Sequence, residues 1–246
     1  FTGVQVEHSR ILGATRPLIA REKVAVARAG TLLLAAEQTP DVEREIAEAV
    51  DRLSLRRVHP EPVEEAPLPG AHQLHNGALA LAAARELFPE GRRSAGPVYS
   101  DLCSRGLHWP GRLDFRPGDP PILFDVAHNP EAMEALLNHL DGWAKPVPAV
   151  IGFLADKPWP RMVRQLSGKV DPVFAVTPLS ERMLPAEELA EAFRSEGFSC
   201  RACDTIEGAL AACREASRGG GILVTGSFFV VGEAIAQAEK HGWVRP

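Results

Sequence analysis

No apolar run in the 246 residues is long enough to span a bilayer, and no signal-peptide pattern is visible. A membrane protein is therefore not expected, and a cytoplasmic location is. Cysteine is scarce, with Cys103, Cys200, Cys203 and Cys213 making four in all. That is too few for a disulfide framework in a chain of this length. Cys200 and Cys203 form a CxxC, but no second pair or nearby histidine completes a zinc site, so reduced cysteines are expected. The net charge of −5 provides no basic surface for nucleic acid or an anionic membrane. No G-x-G-x-x-G follows a strand pattern, which argues against a nicotinamide-dependent dehydrogenase. No G-x-x-x-x-G-K-[ST] occurs either, so these residues carry no P-loop. Tyrosine is limited to one residue, Tyr99, while alanine, arginine, leucine and proline are plentiful. That bias reflects a GC-rich coding sequence and says nothing about function. The chain starts at Phe1, without Met, inside what reads as a strand (FTGVQVEH), as though it were the later part of a longer protein.

What is present is a regular alternation. From about residue 118 the apolar runs ILFDVA, PAVIGFLAD, DPVFAVTPL, FSCRAC and GILVTGSF are each followed by a helical pattern. Short runs without strict alternation, separated by helices of about ten residues, indicate βαβ units and a parallel sheet covered on both faces. The expected fold is therefore α/β, with a doubly wound, mostly parallel, Rossmann-like sheet over 118–246. The first part is less regular. A helix is expected from Thr15 to about Arg28, with Thr15 as N-cap and Pro17 in the first turn. TLLLAAE reads as a strand, Asp41 to Leu53 and His72 to Leu87 as helices, and the proline-rich stretch from His59 to Gly70 as a loop. The Pro/Gly turn RPGDPP marks the expected boundary between a first domain, 1–117, and a second, 118–246.

Several polar residues sit where this pattern leaves them conspicuous. The strand ILFD runs into Asp125, His128, Asn129 and Pro130. Asn129 and Pro130 suit the N-cap and first position of the next helix. Asp125 and His128 fall at a strand's carboxyl end, where open α/β sheets bind ligands beside helix N-termini; the plainer alternative is that Asp125 only ties down the turn. In the first helix, the consecutive residues Arg21, Glu22 and Lys23 fan over roughly 200°. Lys23 then lies beside Ile19, Val26 and Ala27, where a lysine must snorkel, pair or be chemically modified. His8 stands alone within VEHSRILG. HQLHN opens an alanine-rich helix. WPGRLDF is a turn presenting Arg112, either as a surface charge or as a fork for phosphate.

In order, VEHSRILGATRPLIAREK, HQLHN, WPGRLDF, FDVAHNP, GFLADK and TGSFFVVGE resemble the folylpolyglutamate synthases and dihydrofolate synthases of the Mur ligase superfamily. The resemblance covers nearly the whole chain. It implies an ATP-dependent acid–amino-acid ligase that joins L-glutamate to a folate or to dihydropteroate through an acyl phosphate, with the active site between a P-loop ATPase domain and a Rossmann-like domain. Residues 1–117 would be the later part of the first of these, and 118–246 the second. Carried over by motif, Asn76 would meet the adenine side of ATP, Arg112 its phosphates and Asp125 its ribose. His128 would lie near the phosphates or the acyl phosphate. His8 would bind a second magnesium ion, and Lys23 would be the lysine that becomes carbamylated near that metal; a monovalent cation belongs to the same picture. Lys157 and Ser227 would contact the incoming glutamate. The family is usually monomeric and acts on small molecules, not on nucleic acid or membranes.

The chain departs from the family pattern in lacking the P-loop, in having Glu7 where an aspartate precedes the histidine, and in reading Lys23-Val24-Ala25 where the family has KAG. Without a P-loop the chain alone is expected to be inactive. The other readings of the sequence are a different Mur-type ligase acting on a cell-wall or similar acid precursor, and a non-catalytic remnant that keeps the fold.

Overall fold

Local rules account for most of the elements in the computed structural model, which describes residues 1–4, 15–143, 146–177 and 181–245. The chain divides into two compact units, Phe1–Leu107 and His108–Pro246. Residues 108–117, expected with the first domain, belong to the second unit because strand β3 (Asp114–Arg116) pairs antiparallel with β4 (Ile122–Asp125).

In the first unit, α1 covers Arg16–Val24, and Thr15 occupies its N-cap position without a side-chain bond to the helix. The helix stops short of the expected Arg28. Ala27 turns back onto Val24 and Gly30 adopts a φ of 74°, leaving Val26 81% exposed. Residues 1–4 are irregular rather than a strand, with the Phe1 ammonium 2.6 Å from the carbonyl of Leu34. Strands β1 (Leu32–Leu34) and β2 (Arg56–Val58) pair in parallel and flank α2 (Pro40–Leu53) in sequence. Helix α2 buries Val42, Ile46 and Ala49, one stripe at helical spacing. Ala20 of α1 packs against Val42 and Ile46. Helix α3 (His72–Leu87) matches its expected span, and α4 (Arg92–Arg105) follows. The two pack closely where α3 has no side chain: a Cβ on Gly77 would fall 2.0 Å from the hydroxyl of Tyr99. That hydroxyl, the chain's one phenol, donates to the carbonyl of Glu65 at 2.9 Å and so ties down the proline-rich loop.

The second unit is the doubly wound sheet expected from the alternating runs. Its remaining strands are β5 (Val147–Ile151), β6 (Val170–Val176), β7 (Cys200–Cys203) and β8 (Ile222–Thr225). The order is β3-β4-β8-β5-β6-β7, with every pair parallel except β3–β4. Helices α5 (Pro130–His139), α6 (Trp159–Gln165) and α7 (Ala186–Ser195) pack on one face through Met133, Leu136, Met162, Leu189 and Phe193. Helices α8 (Ile206–Ala216) and α9 (Phe228–Lys240) pack on the other through Ala209, Leu210, Val230 and Ala234. Successive residues of one strand serve different faces: Leu123 joins the first core and Phe124 the second. The same period explains the CxxC. Cys200 packs against the first core and Cys203 against the second, so the motif is two unrelated strand positions. Burial pushes the Cys200 thiol up to about 12, which keeps it a neutral thiol at physiological pH. Among the described residues, no helix is long and apolar enough to cross a membrane.

Candidate active site

The sheet topology creates a crevice before any side chain is considered. Strand β4 leads to α5 on one face, whereas its neighbour β8 leads to α9 on the opposite face. Connections that diverge in this way leave a gap at the carboxyl ends of the strands, the usual ligand position in open α/β sheets. Asp125, Thr225 and Ile151 form one row across β4, β8 and β5 at that edge. Both helices that start there are capped by side chains. Asn129 Oδ1 accepts from the N–H of Ala132 at 2.7 Å, and Ser227 Oγ accepts from that of Val230 at 3.1 Å. Each cap contributes about 1 kcal/mol to its helix, and each helix start adds partial positive charge.

Asp125 is buried, and its two oxygens are used on different segments. Oδ1 accepts from the N–H of Ala127 and Oδ2 from that of Leu113, both at 2.8 Å. The second bond fixes the turn WPGRLDF, in which Leu113 has a φ of 45°, a region that non-glycine residues seldom occupy. Asp114 fixes the same turn from its other side. Its Oδ2 accepts from the N–H of Gly111 at 3.1 Å, while Oδ1 lies 2.6 Å from His108 Nε2 and 3.1 Å from Arg116 Nε. Arg116 in turn reaches Glu239 on α9. Gly111 has a φ of 74°, and a Cβ there would fall 2.9 Å from Val126. Arg112 therefore projects from a turn held by two buried carboxylates. Its guanidinium is exposed and makes no hydrogen bond or ion pair among the described residues; its one specific contact is over the ring of Phe228, 5.6 Å from the centroid. His128 approaches the same ring at 5.5 Å, tilted by 45°. Its Nδ1 sits 2.9 Å from the carbonyl of Val126, a contact that places a proton on Nδ1.

Burial alone would raise the pKa of Asp114. Hydrogen bonds from Arg116, His108 and the Gly111 N–H outweigh that penalty and hold the carboxyl below the usual carboxylate range. A group whose folded pKa lies below its unfolded value of about 3.9 stabilises the fold above that pH, and the contribution is lost as pH falls through the folded value. Asp114→Asn is therefore expected to cost about 3 kcal/mol at pH 7, with the difference from wild type shrinking below about pH 4. Urea midpoints at pH 7 and pH 3 check this; an equal gap at both would show that the carboxylate charge is not what matters.

The structure thus brings Arg112, Asp125 and His128 to one edge of the second unit. Lys157 lies half-buried in the turn that follows β5. Ser227 is only 1% exposed, and its hydroxyl oxygen accepts from the N–H of Val230 in capping α9. Asn76 and Lys23 lie in the first unit. Asn76 is exposed near the start of α3, its Nδ2 donating to Gln73 Oε1 at 3.0 Å. The same helix lines a cleft of about 920 Å³ with Leu74, His75 and Ala78, opposite Glu37, His59 and Pro62. Lys23 does not sit on an apolar side. Because α1 ends at Val24, two of the three residues expected beside it, Val26 and Ala27, lie beyond the helix; its Nζ is exposed and donates to the carbonyl of Gly3 at 2.9 Å. His8 lies outside the described residues. Among those described, no three His, Cys, Asp or Glu side chains gather as a metal site.

Sequence reasoning missed Phe228 and Asp114. The apolar run FFVV hides an exposed aromatic residue in front of two core valines, and the acid in LDF carries no pattern of its own.

Residues 111–228 match the family model of the Mur ligase glutamate ligase domain. A probable bifunctional folylpolyglutamate synthase/dihydropteroate synthase of Halobacterium salinarum is 33% identical over 265 aligned residues, covering 95% of this chain and 31% of that protein. A dihydrofolate synthase/folylpolyglutamate synthase of Escherichia coli is 29% identical, covering 98% of this chain and 60% of that protein. The solved structure of a bifunctional folylpolyglutamate synthase/dihydrofolate synthase from Yersinia pestis, complexed with AMPPNP and a Mn ion, superposes with a TM-score of 0.73 at 26% identity. That match covers 98% of this chain and 60% of the other. The chain spans less than two thirds of the length of each of these proteins.

Proposed function

We propose, from the premise that the chain belongs to the folylpolyglutamate synthase and dihydrofolate synthase family of Mur ligases, that it serves an ATP-dependent ligase joining L-glutamate to a folate or to dihydropteroate. The observation that carries this reading is the Arg112 guanidinium, which makes no hydrogen bond or ion pair among the described residues, on a pinned turn beside His128, at the crevice where two capped helices begin.

In this reading Arg112 pairs with the phosphate oxygens of ATP, for which a planar fork of donors is suited. His128, its Nδ1 2.9 Å from the carbonyl of Val126, stands beside Arg112 at the phosphate end of the site. Asp125, at the carboxyl end of β4, is the candidate for a ribose hydroxyl. Asn76 serves the adenine. The γ-phosphoryl group passes to the substrate carboxylate and ADP departs. The glutamate amine then attacks the acyl phosphate carbon, the amine loses its proton, and phosphate leaves from the tetrahedral intermediate. Arg112 offsets charge on the phosphoryl oxygens throughout. Lys157 and Ser227 are the candidates for contacts with the incoming glutamate.

A divalent ion, Mg²⁺ in this reading, supplies further charge to the phosphoryl oxygens when bound. Its proposed ligands are His8 and a carbamylated Lys23. The unmodified ammonium repels a cation, but a carbamate would supply oxygens and keep one N–H for its bond to Gly3. That pairing, like a role for a monovalent cation, rests on family resemblance. Action as a monomer in the cytoplasm on small molecules belongs to the same reading.

The alternative reading is a non-catalytic protein that keeps the fold. Incubating the product of the whole gene with ATP, L-glutamate and either dihydropteroate or a reduced folate separates the two. Release of ADP together with a product one glutamate heavier is expected. No ADP with either acid would overturn the ligase proposal.

A further inference from the structure

Phe228 is the first residue of α9 and remains 57% exposed, although the next turn of the helix supplies Val230 and Val231 to the core. Its attachment point is rigid. Ser227 caps the helix just before it, and Gly226 has a φ of 112° with its backbone so close to Gly152 that a Cβ would fall 2.4 Å from the Gly152 carbonyl oxygen. A fixed, solvent-facing aromatic ring costs free energy if it only meets water. This one meets two groups, the Arg112 guanidinium and the His128 imidazole, which come from different segments of the chain.

From this geometry we infer that Phe228 is a positioning residue: its ring orients Arg112 and His128 together towards the nucleotide phosphates. The inference rests on the proposed ATP site for its functional part only. A ring is suited to this task in a way that an acid is not. A carboxylate would orient the guanidinium by taking its N–H donors and cancelling its charge. The face of an aromatic ring attracts the cation through its quadrupole and leaves all five donors for a ligand. It also restricts the rotamers of a long exposed side chain, lowering the ordering cost when a phosphate binds. The tilted contact with His128 fixes the plane of an imidazole whose Nδ1 is already held by Val126.

The test uses F228L, which keeps apolar bulk without a π face, and F228Y, which keeps the ring, both in the whole gene product. Proton NMR reads position directly. Arg112 side-chain signals are expected upfield in the wild type and in F228Y through the ring current, and at random-coil positions in F228L. In steady-state assays, F228L is expected to raise KM for ATP about tenfold with little change in thermal midpoint, and F228Y to recover most of that loss. Wild-type Arg112 signals at random-coil positions would overturn the inference. So would an F228L enzyme with the wild-type KM, or an F228Y enzyme as impaired as F228L. A wild type that consumes no ATP would defeat the ligase proposal, and the NMR comparison would still decide whether the ring positions the two groups.

Discussion

Arg112→Ala is expected to lower kcat/KM for ATP by about 10²- to 10³-fold in the whole gene product, the usual effect of removing one donor from a preorganised charge-stabilising site. The turn that carries Arg112 is fixed by Asp125 at Leu113 and by Asp114 at Gly111, so the side chain starts from a defined point. The guanidinium is exposed and without a carboxylate partner among the described residues, so its removal costs the fold little. Loss of activity with an unchanged melting temperature would therefore locate the effect in the site. Arg112→Lys is expected to recover only a small part, because a lysine keeps the charge but loses the fork and the ring contact. ADP release under saturating and limiting ATP measures both variants. An Arg112→Ala enzyme within threefold of wild type would mean that the residue is a surface charge and that the phosphate site lies elsewhere.

Asp125→Ala is expected to have a double effect. Truncation leaves the N–H groups of Leu113 and Ala127 without their acceptor in a buried setting. Each such loss costs about 1–3 kcal/mol, so the folded chain should lose roughly 2–6 kcal/mol and several degrees of thermal stability. Because the Leu113 bond also holds the turn of Arg112, ATP affinity should fall even where the protein remains folded. Denaturant midpoints and nucleotide titration, run on the same preparation, separate the two effects. A wild-type midpoint would show that Asp125 does not hold the turn. A lower midpoint with unchanged nucleotide affinity would confine Asp125 to a structural role.

The parallel sheet was legible because its strands are continuous apolar runs buried on both faces, a pattern that few other structures produce. The position of Asp125 and His128 was legible for the same reason: a run that stops at polar residues before a capped helix marks the carboxyl edge of the sheet. Strand β3 was not legible. It is three residues long, and its inward positions are Asp114 and Arg116, a buried ion pair where a pattern search expects apolar residues. Helix α4 was missed because it contains Pro97 and presents no buried stripe. Lys23 was misplaced because side-chain periodicity assumes that a helix continues, whereas α1 ends one residue after it. Phe228 was hidden by chemistry: apolar residues in a run are read as core, and only the structure shows which of them faces solvent.

Strand order also governs when the site can exist. The strand that comes last in sequence, β8, lies between β4 and β5 and pairs with both. During synthesis, β4 and β5 emerge first and are joined into one sheet only when β8 arrives to pair with both. Bringing residues 222–225 back against 122–125 spans about a hundred positions, a non-local closure that is slow compared with helix formation. Until then the edges of β4 and β5 are open to unwanted strand pairing. Phe228, attached just beyond β8, is expected to reach Arg112 and His128 only once that closure has been made, so the edge of the sheet that carries these three side chains depends on the most non-local pairing of the unit.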